Sequence, residues 1–306
     1  MTIATVSPRR ATPAPWFSSP RWTKYFVHDD GWIYADGEAA PPYVVTGEDD
    51  LPTQFARVVE PVGRRFDAHL PPLLEFCGRF GLVGYTALAG PRLVGNLGTA
   101  TAIATRTKSR LRPNGKDGQL SIELRAGDSI HWALRHATNV RLILALHRGT
   151  QGWTKLDPLL DQLGRTQIPL TTPQSKEGRT LWQKPLKLDL PTVRQTHTPF
   201  VVARQVLAAL LQPNVGAVDR EISTTLGEPH FPFRLRALID AIYWQLADSV
   251  QGNVEVRECQ CGALFFARDP RQQCCPKLPG QRESRCTKRF RMRSLRHPPS
   301  EENAHD

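Results

Sequence analysis

The sequence predicts a mainly α protein of the α+β class. A helical N-terminal domain with short strands is followed by a small cysteine-dense module that ends in a basic helix. Three observations lead there. Apolar residues recur at helical spacing, most clearly over 199–211 and 231–250. Five of the six cysteines fall between Cys259 and Cys286. Positive charge gathers in that same stretch. At about 150 residues per domain, 306 residues suggest roughly two domains. Hydrophobic residues make up 40% of the chain and glycines number 22, an ordinary content that excludes a wholly disordered or collagen-like chain. No stretch approaches about 18 consecutive apolar residues, so neither a membrane span nor a membrane partner is expected.

Residues 1–22 read as a flexible tail, with four prolines and no continuous apolar run of the kind a signal peptide needs. Arg9-Arg10 is followed by Ala and Pro, unlike a twin-arginine signal. Residues 24–34 read as a hairpin turning at Asp30-Gly31, and Pro41-Pro42 with 47–50 as a loop. A helical pattern runs from 51 to 80, interrupted at Pro61 and Pro71-Pro72. Cys77, set among apolar neighbours, reads as a core residue. Residues 81–119 read as loops and short strands. Gly90, Gly95 and Gly98 lack the spacing and following Lys-Ser/Thr of a phosphate loop. Arg106, Lys108, Arg110 and Arg112 alternate with period two, as on a solvated extended segment.

Asp128-Ser129 caps a helix reaching about residue 147. His131 and His136 on it are five residues apart, off the spacing that puts two ligands on one face, so His136 is assigned to the core. A short helix at 157–163, a strand at 180–190 and helices at 199–211 and 231–250 follow. Gly252-Asn253 supplies C-cap chemistry. The expected units are therefore a tail (1–22), the helical domain (23–252), the cysteine module with its helix (253–297) and a second tail (298–306).

The formal charge is +11, with a pI of about 9.7, which favours anionic partners. Arginines number 31 and lysines 9, a bias suited to phosphate contacts but equally to a GC-rich coding sequence. A Gly-x-Ser-x-Gly elbow, a His-Glu-x-x-His helix and a Walker loop are all missing from the sequence. His230, in a proline-flanked loop, is the single titratable group singled out for an enzyme reading. A cysteine-poor body with a cysteine-dense end is unlike a secreted disulfide scaffold and fits a reduced, cytoplasmic setting with a metal site.

A structural zinc ion takes four nitrogen or sulfur ligands, usually from two close pairs. Cys259 and Cys261 form the first pair, and Gly262 lets the backbone turn beneath the metal. Cys275 and Cys286 form the second, with Cys274 the alternative to Cys275, because adjacent cysteines seldom both reach one ion. The Cys-x-Cys spacing is one residue tighter than usual. The second pair is wider than usual, with ten residues between its members.

At these residues the chain resembles the bacterial CGNR-type zinc-finger proteins. Cys261-Gly262 and Phe265 match their first element, and Cys275-Pro276 falls where a third cysteine is expected. Cys286-Thr287-Lys288-Arg289 stands at the Cys-Gly-Asn-Arg position, keeping the Cys and Arg; residues 277–285 are an insertion. The resemblance implies a helical N-terminal domain and a zinc-ribbon or treble-clef-like C-terminal module. It also implies a bacterial transcription regulator. Lys288, Arg289, Arg291, Arg293 and Arg296 follow the last cysteine, and Arg289, Arg293 and Arg296 share a helical face, with Phe290 and Leu295 placed to pack inward. Across 257–297, eleven Lys/Arg stand against three acids, a net of +8. Zinc as cofactor and nucleic acid as partner, DNA in preference to RNA, are the leading expectation. The N-terminal domain would then bind a small-molecule effector or mediate dimerisation. The alternative is an enzymatic or effector-binding N-terminal domain with the cysteine module as a structural or protein-interaction appendage.

Overall fold

The computed structural model describes residues 17–28, 31–46, 50–60, 66–84, 110–114, 119–123, 127–164, 173–176, 179–182, 197–215, 219–220, 233–267, 269–277 and 281–296. Gly90, Gly95, Gly98, Arg106, Lys108 and His230 lie outside them. None of the described helices is long and apolar enough to cross a membrane.

Strands β1 (Phe17–His28) and β2 (Trp32–Val45) form the expected antiparallel hairpin, at greater length than the 24–34 pattern foresees. Residues 17–22, expected in the tail, are strand, and Ser19 is buried. Pro41 and Pro42, expected as loop, lie inside β2. The pairing shifts register there, from Ser19↔Tyr43 to Arg21↔Ala40, and such a bulge accommodates residues that lack an N–H.

Helix α1 (Leu51–Ala56) continues as a 3-10 turn at Arg57–Val59. A second 3-10 turn, Phe66–His69, leads into α2 (Leu70–Phe80). Pro71-Pro72 does not interrupt α2 but opens it, in the first turn, where the missing N–H costs nothing. Cys77 is fully buried on α2, and burial pushes its thiol well up, as for an inert core residue. Strands β3 (Arg110–Asn114) and β4 (Gln119–Glu123) pair with each other, placing Arg110 and Arg112 on β3. Strand β5 (Gly127–Ser129) adds to β2 through Trp32–Tyr34, giving the sheet order β1-β2-β5.

From β5 the chain passes directly into α3 (Ile130–Thr150), the longest described helix. The expected Asp128-Ser129 cap divides its labour. Ser129 Oγ accepts the N–H of Trp132 at 3.5 Å. Asp128, buried, turns the other way and accepts the N–H groups of Val83 and Gly84, the latter at 3.1 Å. After α3 come α4 (Leu156–Gly164), the paired strands β6 (Pro173–Lys176) and β7 (Arg179–Trp182), and α5 (Pro199–Val215). The two-residue strands β8 (Asp219–Arg220) and β9 (Phe233–Arg234) precede α6 (Leu238–Gln251). The strand expected at 180–190 is seen only as β7; 183–190 lie outside the described residues.

Helix α6 starts seven residues later than the apolar stripe suggests, because 233–234 are used as strand. Asp240 closes its first turn, accepting the Arg236 N–H at 3.1 Å and both arms of the Arg236 guanidinium at 2.9 Å. Helices α1, α4, α5 and α6 surround α3 in one core. Several of its polar members are linked to one another or to backbone. Tyr243 Oη pairs with His136 Nδ1 at 2.9 Å and accepts from Asn139 Nδ2 at 2.9 Å, which places His136 in the core as expected. Gln245 accepts the Leu51 N–H at 3.2 Å and donates to Thr46 O at 2.8 Å, fastening the start of α1 to α6.

Asp128 is buried and joins two segments distant in sequence, so its removal strands two backbone donors. Asp128→Ala is expected to lower the unfolding free energy by about 2–4 kcal/mol. Asp128→Asn should recover part of that. Urea unfolding of the three proteins checks it, and equal midpoints would count against the role.

Candidate metal centre

The chain leaves α6 through a tight cap. Gly252 N–H donates to Asp248 O at 2.8 Å, and Val254 N–H to Ser249 O at 2.9 Å. The sequence proposes Gly252-Asn253 for this cap. Asn253 takes the left-handed conformation, at φ 50°, while Gly252 stays at φ −71°. Asparagine is among the few side chains that tolerate that region.

Strands β10 (Val256–Glu258) and β11 (Leu264–Phe266) then form an antiparallel hairpin. Cys259 and Cys261 sit in its turn, closed by Cys259 N–H to Ala263 O and Gly262 N–H to Cys259 O, both 2.8 Å. Gly262, at φ 84°, makes that reversal without a strained side chain, which is how the tight Cys-x-Cys spacing places both thiols on one turn. The pleat gives the hairpin two apolar faces. Val256, Leu264 and Phe266 belong to the main helical core, whereas fully buried Phe265 packs with Cys259, Cys274 and Cys275.

Side chains at the end of α3 hold the hairpin in place. Val254 O accepts from His147 Nε2 at 3.0 Å and from Gln151 Nε2 at 2.9 Å, and Gln151 Oε1 accepts the Val256 N–H at 2.9 Å. Arg148 pairs with Glu258 at 2.7 Å. On the far side, Arg257 donates to the carbonyls of Pro270 at 2.6 Å and Gln272 at 2.9 Å, drawing the return loop toward Cys274-Cys275. The last element is α7 (Arg285–Arg296). Ser284 caps it, accepting the Thr287 N–H at 3.0 Å, so Cys286 falls in the first helical turn.

The sulfur atoms of Cys259, Cys261, Cys275 and Cys286 all lie within 4.8 Å of one another, and this group can hold a metal ion. Cys259 and Cys275 are buried, Cys286 is half-buried and Cys261 is exposed. Cys274 lies outside the group, buried next to it. Burial alone would push the Cys259 thiol up. Hydrogen bonds from the backbone N–H groups of Cys261 and Cys275 and from neighbouring thiols outweigh it and bring Cys259 down to about 7. Burial raises Cys286 to about 11 and pushes Cys275 higher still. Cys259 is thus the readier of these to ionise, and burial leaves Cys275 and Cys286 without enough positive charge nearby to favour their thiolates. A divalent cation supplies that charge and lets all four sulfurs ionise.

Part of the compensation is already built in from outside the module. Arg57, in the turn after α1, approaches Cys275, where its charge favours the thiolate. Its Nε and Nη2 are buried without an acceptor among the described residues. A cavity of about 270 Å³ opens between Arg57, Phe76 and Arg79 on one side and Cys261, Cys275 and Cys286 on the other, a path by which an ion can enter. Arg57, Ser284 and Gln151 all escape a sequence reading. Only Ser284, directly ahead of the basic helix, leaves a local signal.

Of the residues expected to meet nucleic acid, Lys288, Arg289 and Arg291 are exposed on α7, and Arg291 pairs with Glu283 at 3.0 Å. Arg293 and Arg296 continue the same helix, with side chains outside the described set. Phe290 was expected to pack inward but is 38% exposed, as is Met292 at 42%. No family model matches the chain, and no curated protein or solved structure matches it either.

If the four-sulfur group is the site, Cys275→Ser is expected to abolish stoichiometric metal binding while Cys274→Ser leaves it intact. Metal analysis of the two purified variants checks this, and the reverse pattern would move the site to Cys274. Burial also pushes the His147 imidazole below its ordinary value, against the pull of Val254 O. The folded state therefore prefers the neutral ring. The stabilisation this gives is present above the unfolded value, about 6.5, and is lost as pH falls below it. His147→Gln should reduce the difference in urea midpoint between pH 7.5 and 5.5; an undiminished difference would remove His147 as its source.

Proposed function

We propose that this chain is a zinc-containing nucleic-acid-binding protein, a bacterial transcription regulator of the kind that the CGNR-type resemblance implies. The observation that carries the reading is the double placement of Cys286. It belongs both to the four-sulfur group and to the first turn of α7. A metal held there fixes the origin and direction of a twelve-residue helix, Arg285–Arg296, that contains six Lys/Arg and no acid.

Zinc suits the donor set. Four thiolates are a soft, closed set, characteristic of structural zinc and leaving no open position for catalysis. A tetrahedron with metal–sulfur distances of about 2.3 Å has edges of about 3.8 Å. The sulfurs, within 4.8 Å of one another, need only a small contraction to reach it. A cysteine-bearing hairpin turn, a third cysteine and a fourth opening a helix make the treble-clef-like layout the better of the two expected module forms.

DNA is favoured over RNA because the major groove of B-form DNA admits a helix, whereas that of A-form RNA is deep and narrow. Lys288, Arg289, Arg293 and Arg296 supply phosphate contacts, and Arg291 joins them once released from Glu283. Phosphate contacts make binding steeply dependent on salt, which separates this reading from an apolar protein–protein module. Replacing Arg289, Arg293 and Arg296 together with Ala should weaken duplex binding and reduce the slope of log K against log salt by about 2–3, at about 0.9 per lost contact. Fluorescence anisotropy with a mixed-sequence duplex reads this out. Chelation should abolish binding and zinc restore it. An unchanged slope, or binding indifferent to the metal, overturns the assignment.

A further inference from the structure

A second concave site lies beside the cysteine hairpin and shares its wall. It encloses about 640 Å³, within the range of small-molecule sites. One side is a single face of α3, on which Arg135, Thr138, Arg141, Leu142, Ala145 and Arg148 recur at intervals of three or four. Opposite stand Leu159 of α4 and the residues flanking the cysteine turn, Glu258, Gly262 and Leu264. The floor is apolar, since Leu134, Leu142, Val59 and Leu264 are all buried.

The charge on this site is unbalanced. Three guanidinium groups line it, those of Arg135, Arg141 and Arg148, against one carboxylate, that of Glu258. Glu60 engages Arg141 at 2.5 Å and Glu258 engages Arg148 at 2.7 Å. Arg135 makes no ion pair among the described residues, and Arg148 Nε is buried without an acceptor. Arg135 is exposed at the groove, so the charge left over for a ligand is its guanidinium. His69 and His131 add ring nitrogens to the lining.

We infer that this groove binds a small organic anion with an apolar body. A single carboxylate, sulfonate or phosphate would lie toward Arg135, since Arg148 stands thirteen residues, about 20 Å, further along α3 and is paired with Glu258. A ring or short chain would rest on Leu134 and Leu142. The inference does not depend on the zinc or nucleic-acid reading, because the ligand is recognised by α3 and α4. Glu258 and Gly262 adjoin Cys259 and Cys261, so a bound molecule also touches the wall that carries two of the four sulfurs.

The probe is 8-anilinonaphthalene-1-sulfonate, titrated by fluorescence into the full-length, metal-loaded protein. Saturable binding of one molecule per chain is expected, displaced by 1-naphthoate and at least tenfold less well by the uncharged 1-naphthamide. Arg135→Glu should weaken the probe at least tenfold, and Thr138→Trp, which fills the groove, should abolish binding. Lys24→Gln, on β1 and outside the groove lining, should leave it unchanged. Absence of saturable binding overturns the inference. So does equal displacement by naphthoate and naphthamide, or binding that survives both groove substitutions.

Discussion

The rest of this structure depends on the grip between the last turn of α3 and the chain entering β10. One backbone carbonyl, that of Val254, receives both His147 and Gln151, and the same Gln151 returns an acceptor to the Val256 N–H. These bonds set the height and angle at which the cysteine hairpin leaves the helical body. From there, alternation along β11 sends Leu264 and Phe266 into the main core and Phe265 into the cysteine cluster. The hairpin is thereby a shared wall. A cysteine module this small has little apolar surface of its own, and it borrows stability from a core it did not build.

Electrostatics ties the two parts together in the other direction. A tetrathiolate site around a divalent ion carries excess negative charge, which the interior tolerates only with compensation. Arg57 comes from the body, while the backbone N–H groups of Cys261 and Cys275 come from within the module. The described basic side chains of α7, those of Arg285, Lys288, Arg289 and Arg291, lie outside that balance and are exposed to solvent.

The cysteine turn was legible in the chain itself. Cys-x-Cys followed by glycine is a local pattern, and its φ and hydrogen bonds follow from adjacent residues. The amphipathic stripe of α6 was legible for the same reason, as was the assignment of His136 to the core from its off-register spacing. Element ends were harder to read. Pro71-Pro72 looks like a break but opens a helix, and Pro41-Pro42 looks like a loop but occupies a bulge in β2. In both cases a proline's missing N–H was made harmless by a setting that composition does not show.

The sequence by itself determined the main helices, the cysteines available as ligands and the basic character of the last helix, because each rests on neighbours within a few positions. Tertiary structure alone decided that Cys275 rather than Cys274 closes on the other three sulfurs. It alone brought Arg57 to them across some two hundred residues of chain. It also turned one face of α3 into the wall of a groove shared with the hairpin. These are matters of distance between segments remote in sequence, and only the packing of the whole chain fixes such distances.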